Sequence, residues 1–193
     1  MRQSSTAALA AVVLSFLAGA SLSGQDKPTE RETSDAVSPL PAGLQGGAAV
    51  LAYRNGALTE IRAGTNGMIC LADDPARQGF HAACYHETME PFMARGRALR
   101  ASGMSAEAAD SVRLADLEAG ALPQPAPGAA LYSISHDDDA FDPAGGAIGA
   151  RGLYVIYLPY ATEASTGISA TPARDRPWLM FPGRVTAHVM LAR

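Results

Sequence analysis

The alternation of apolar and polar positions divides the chain into three unlike parts. Ala7 to Ala20 (AALAAVVLSFLAGA) is a run of 14 residues broken only by Ser15. Arg2 precedes it, and Ser21-Leu22-Ser23 and Gly24 follow. A positive start, a short apolar run and small residues predict a secretory signal peptide over residues 1–23. The run falls short of the roughly 20 residues that cross a bilayer as a helix, so no membrane span is expected after cleavage. Lipid attachment is not expected, because no cysteine stands near the cleavage region. The second part, Gly24 to Gly47, mixes charges, Ser/Thr, Pro and Gly with almost nothing to bury. Such composition does not offset the entropy of ordering, and it predicts a disordered linker over residues 24–47.

The third part, residues 48–193, carries the periodic patterns of a folded domain. Ala48–Arg54 and Ala57–Arg62 flank Asn55-Gly56, the strongest short-range hairpin signal. A two-residue turn there pairs Arg54 with Ala57 and sets Val50 opposite Ile61 and Ala52 opposite Thr59. Asn66-Gly67 before Met68-Ile69-Cys70-Leu71 extends this to an N-terminal antiparallel meander over residues 48–72. Met89, Phe92, Met93 and Leu99 lie near helical spacing and predict a helix over about Ala82–Ser102, which Pro91 either begins or kinks. Ser105 caps a second helix through about Ala119, and Gly120 stops it. Ala130–Ser135, Leu153–Tyr160 and Val185–Leu191 are further strand candidates. The run LYVIYLPY is apolar on both faces, as a central strand is. Strands, then one or two central helices, then strands predict an α+β domain with a mainly antiparallel sheet.

Composition narrows the function classes. The 193 residues are 48% hydrophobic and 18% charged, with 15 Lys+Arg against 19 Asp+Glu and a net charge of −4. One folded domain fits that length. The balance argues against nucleic acid or an anionic membrane surface as partner, since both call for a basic face. Cys70 and Cys84 are the only cysteines. In an oxidising compartment such a pair predicts a disulfide closing a loop of about 15 residues. Two free thiols, or a metal or catalytic role, are the alternatives.

Reactive side chains are few. His81, Cys84 and His86 form an H-x2-C-x-H cluster, and on a helix His86 and Glu90 would share a face at i, i+4, a usable metal-ligand pair. Polar residues at a loop–helix junction are the plainer reading. His136-Asp137-Asp138-Asp139, with Asp142 further on, is the densest acidic run. Asp137 and Asp139 could take calcium weakly but lack the spacing of a calcium loop, and a solvated loop between strands explains them as well. His188 projects from the less apolar face of a late strand, and Glu163 and Ser165 follow a buried strand. Together they are the candidate acid–base and nucleophile set, although no G-x-S-x-G elbow is present. No cofactor is expected. These residues leave two classes open. One is a non-enzymatic exported module that binds a small molecule or an envelope protein. The other is a hydrolase or metal-dependent enzyme using His188 or His86 with nearby acids.

Several segments carry a resemblance: Thr65 to Leu71, Cys84-Tyr85, Ala130-Leu131-Tyr132, Tyr157 to Thr162, Pro177 to Met180, Pro182-Gly183 and Ala187 to Met190. Across about residues 48–191 the chain resembles a group of uncharacterised exported bacterial proteins. The resemblance implies export and a single domain. It brings no catalytic residue with it.

One outcome can be checked directly. The exported protein should begin between about Ala20 and Gln25, as read by intact-mass analysis, and a mature chain still starting at Met1 would contradict the processing.

Overall fold

The computed structural model describes residues 30–146 and 148–193, so the signal-peptide segment, residues 1–23, lies outside the described residues. Within them, an eight-stranded sheet is flanked by helices on both faces, an α+β fold.

The chain enters through α1 (Glu30–Val37) and α2 (Ala42–Gln45). This corrects the linker expectation for residues 30–47. Polar composition predicts disorder only when nothing is buried, and Ala36, Val37 and Leu40 are buried in a cluster with Val50, Ala52, Cys70 and Cys84. Those three side chains dock the segment on the sheet. An isolated helix of eight residues would not hold by itself.

The hairpin forms as predicted. β1 (Ala49–Arg54) and β2 (Ala57–Arg62) are antiparallel, with Arg54 opposite Ala57 and Ala52 opposite Thr59. Asn55 and Gly56 take the positive φ values, 53° and 80°, that such a tight turn requires. A bulge between Val50 and Leu51 then moves Val50 opposite Arg62 rather than Ile61.

The meander does not form. β3 (Met68–Leu71) lies on the other side of β1 and runs parallel to it. β2 carries exposed Thr59 and Glu60 and suits an edge, whereas Met68 and Cys70 are buried. The apolar strand therefore takes the interior position. The link back crosses the start of β1 at Gly64, where a Cβ would stand 2.6 Å from the Ala49 nitrogen. Asn66 is an anchor here: its side-chain Oδ1 accepts from the Met68 N–H, and its Nδ2 donates to the Leu44 carbonyl.

β4 (Phe80–His86) replaces the start of the helix predicted over Ala82–Ser102. Ala82 and Cys84 are buried on one face and Ala83 and Tyr85 on the other. Small apolar residues on both faces do not distinguish a central strand from a buried helix, and tertiary pairing decides. A 3-10 turn at Glu87–Met89 then leads into α3 (Glu90–Ala101), with Pro91 in its first turn. The second helix matches its expectation: α4 (Ala106–Glu118) has Ser105 accepting from the Ala108 N–H, and Gly120 lies just past its end.

β5 (Ala130–His136), β6 (Arg151–Tyr157), the short α5 (Glu163–Thr166), β7 (Trp178–Met180) and β8 (His188–Ala192) complete the chain. The strand order is β2-β1-β3-β4-β5-β6-β8-β7, and every pair except β1 and β3 is antiparallel.

Cys70 and Cys84 are directly opposite in β3 and β4 and are joined by a disulfide, with Cα atoms 4.0 Å apart. The bridge links two adjacent strands rather than a strand and a helix. Both residues are fully buried under α1, and the Cys84 sulfur rests 3.3 Å from the Ala36 carbonyl oxygen. A bridged sulfur has no proton to donate, so this is a packing contact. Reduction, or Cys84→Ser, should lower the melting temperature through a stability loss of about 3 kcal/mol at most, set by the closed loop. An unchanged melting curve under reductant would show that the bridge contributes nothing.

Candidate functional site

The structure places the sequence candidates apart. His86 ends β4, and its Nδ1 accepts from the Thr88 N–H and lies 3.0 Å from the Thr88 hydroxyl. Because His86 is on a strand, it does not share a helix face with Glu90, which turns to Tyr85 and Arg97 instead. His81 is exposed, and Cys84 is in the disulfide. Asp137 pairs with Arg151, whose guanidinium holds the carboxyl below its usual range. Asp139 accepts from the Gly79 N–H, and the His136 ring stacks on Phe141. Among the described residues, no three His, Cys, Asp or Glu side chains gather as a metal-ligand set.

His188 Nδ1 donates to the Thr186 carbonyl, 2.8 Å away, which fixes Nδ1 as the protonated nitrogen since a carbonyl only accepts. Its ring meets the edge of Phe181. Ser165 closes a capping box with Thr162, and Glu163 accepts from the Ala170 N–H. Each of the three serves its own loop, and no hydrogen bond joins them among the described residues.

The side chains that do converge lie on the other half of the sheet. Leu51 is opposite Leu71, and Leu71 is opposite Ala83, so with Tyr53 and His81 these residues share one face of β1, β3 and β4. α3 crosses above that face with α4 packed against it. Between them is a cavity of about 170 Å³, floored by Tyr53, Leu71 and Ala83, walled by the loop Ala72–Asp74 and Arg77, and roofed by Met93, Arg97, Arg100 and Arg113. It adjoins an outer cleft of about 840 Å³ that shares Tyr53, Asp74, Arg77, Arg97 and Arg100 and adds Leu58, Ala98, Ala101 and Ala106.

The core edge of this cleft is sealed by a polar network. Tyr85 is fully buried, donates to Glu90 Oε2 at 2.6 Å and accepts from Arg97 Nη1 at 2.8 Å. Arg97 Nη2 also donates to Glu90 Oε1. Burial, then the bond to Glu90, pushes the Tyr85 phenol well above its ordinary value and keeps it protonated. Tyr53, at the floor, is raised the same way by burial and by Asp74.

Arg113 reaches the cavity from α4. Its guanidinium lies 4.2 Å over the Phe92 ring centre and 3.8 Å from the Met93 sulfur. Gly96 makes room for it, since a Cβ there would stand 3.0 Å from Arg113 Cδ and Nη1. The sequence reading missed this arginine set. A signal was present in α3, where Arg97 and Arg100 follow Met93 at i+4 and i+7, the stripe that usually faces a core.

No family model, curated protein or solved structure matches this chain.

Burial pushes the His188 imidazole below its ordinary value of 6.5. The unfolded chain therefore takes up that proton first as pH falls. The contribution of His188 to stability is complete above the unfolded value, declines below it, and levels off once the folded ring is also protonated. Between about pH 7.5 and pH 5, melting temperature should fall further in the wild type than in His188→Gln. Equal falls would show that His188 is not a source of acid sensitivity.

Proposed function

We propose that the chain is an exported, non-catalytic module that binds a small molecule in the cleft between the sheet and α3–α4. One observation carries this reading. His188, Glu163 and Ser165 are each committed to local backbone or capping bonds, while the cleft collects aromatic, apolar and guanidinium groups around an open volume of about 840 Å³. A concave site with an apolar floor and a few convergent polar groups has the general form of a ligand pocket. The apolar run at Ala7–Ala20 and the buried Cys70–Cys84 disulfide support an oxidising, exported setting.

Ala101→Trp tests the site without altering any charge, because Ala101 is exposed at the end of α3 and lines the outer cleft. In a thermal-shift screen of small molecules, compounds that raise the melting temperature of the wild type should lose most of that effect in Ala101→Trp and keep it in His188→Ala. The reading fails if esters, phosphoesters or peptides are turned over in a manner abolished by His188→Ala. It also fails if binding is indifferent to Ala101→Trp.

A further inference from the structure

We propose that the ligand of this cleft is a small oxyanion, a carboxylate or a phosphate ester, held between Arg100 and Arg113. The inference rests on the cleft being a binding site, as read above, and adds the chemistry of its occupant.

Met93, Arg97 and Arg100 occupy i, i+4 and i+7 of α3 and line the cavity against the sheet. Such a stripe normally carries apolar side chains, because a charge drawn out of water costs free energy unless it meets a partner. Partners inside the fold meet this charge unevenly. Glu90 compensates Arg97. Asp110 alone serves both Arg113, at 2.8 Å, and Arg100, at 4.0 Å. Asp73 and Asp74 line the loop side together with Arg77, and the two carboxylates accept from the N–H groups of His81 and Ala76. Two guanidinia thus share one carboxylate on the helix side, and burial together with Arg100 pushes the pKa of Arg113 downward.

Arg113 adds the most specific sign. Its Nε is buried and has no hydrogen-bond partner among the described residues. The approach to Asp110 Oδ1 at 2.8 Å leaves that oxygen, too, without a hydrogen bond. A buried donor left unmade costs free energy, and an acceptor oxygen that reached it would relieve that cost. The guanidinium is already held by Phe92, Met93 and the gap at Gly96, so little freedom is lost on binding. Its planar fork of N–H donors matches the paired oxygens of a carboxylate or phosphate. The inner cavity, about 170 Å³, suits the acidic head of a molecule whose remainder would extend into the outer cleft.

The test titrates succinate, citrate, glycerol phosphate and inorganic phosphate into the purified chain against chloride at matched ionic strength. Heat of binding and the Nε–Hε NMR signal of Arg113 are followed together. At least one of the four should saturate, shift the Arg113 signal, and bind about tenfold more weakly to Arg100→Gln. Arg100 is exposed, so this substitution leaves the core intact even if Arg113→Met does not fold. Saturation by the carboxylates alone identifies an organic acid, and saturation by the phosphates alone identifies a phosphate ester. Failure of all four to saturate, or equal binding by Arg100→Gln, overturns the proposal. A neutral compound whose binding is blocked by Ala101→Trp while all four anions fail would overturn the charge assignment and leave the binding site standing.

Discussion

Burial of one whole face of β1, β3 and β4, and of β4 on its other face too, is the constraint on which the rest of the architecture depends. Val50, Ala52, Cys70 and Cys84 are fully buried on one face, and Tyr85 is fully buried on the other. A strand apolar on both sides must be covered twice, so each face needs its own layer. α1 supplies the first layer through Ala36 and Val37. The 3-10 turn and α3 supply the second through Met89 and Met93, which pack with Tyr85, Leu71 and Tyr157. The same demand sends the polar strand β2 to the edge and draws β3 inward, parallel to β1.

α3 changes character along its length, and that change creates the cleft. Its first turns close a hydrophobic cluster, while its later turns present Arg97 and Arg100 to the same sheet face. Tyr85, Glu90 and Arg97 form the seam, in which the buried phenol has both a donor and an acceptor for a partner. A satisfied network can border a dry core, and an unsatisfied one would open it to water. Beyond the seam the guanidinium groups of Arg97, Arg100 and Arg113 join Met93 in roofing the space over the sheet face.

The far half of the sheet is held differently. β6 and β8 pair through five register positions, and the buried Tyr157 hydroxyl donates to the Val185 carbonyl. Tyr160 and Phe181 adopt positive φ values of 63° and 53°, which non-glycine residues seldom take. Tyr160 N–H donates to the Arg184 carbonyl and Gly183 N–H to the Ala161 carbonyl, so the two loops hold each other in that conformation. The histidine, glutamate and serine singled out in the sequence belong to this region, where they support loop geometry.

Local chemistry was legible without the fold. The Asn55-Gly56 turn and its pairing, the Ser105 cap, the α+β order of elements and the Cys70–Cys84 bridge all rest on neighbouring residues or on a count of two. What lay beyond sequence reasoning depended on contacts between distant segments. Residues 30–47 look too polar to order, yet Ala36 and Val37 find a buried surface around Cys84, 48 residues away from Ala36. Ala82 to Tyr85 suit a helix or a strand until pairing with β3 and β5 chooses. Arg97 and Arg113 read as ordinary helix surface one at a time, and only the packing of α3 and α4 on the sheet turns them toward one cavity. Propensity and turn chemistry act over a few residues, whereas the choice of neighbour and the side a helix presents are settled by burial across the whole domain.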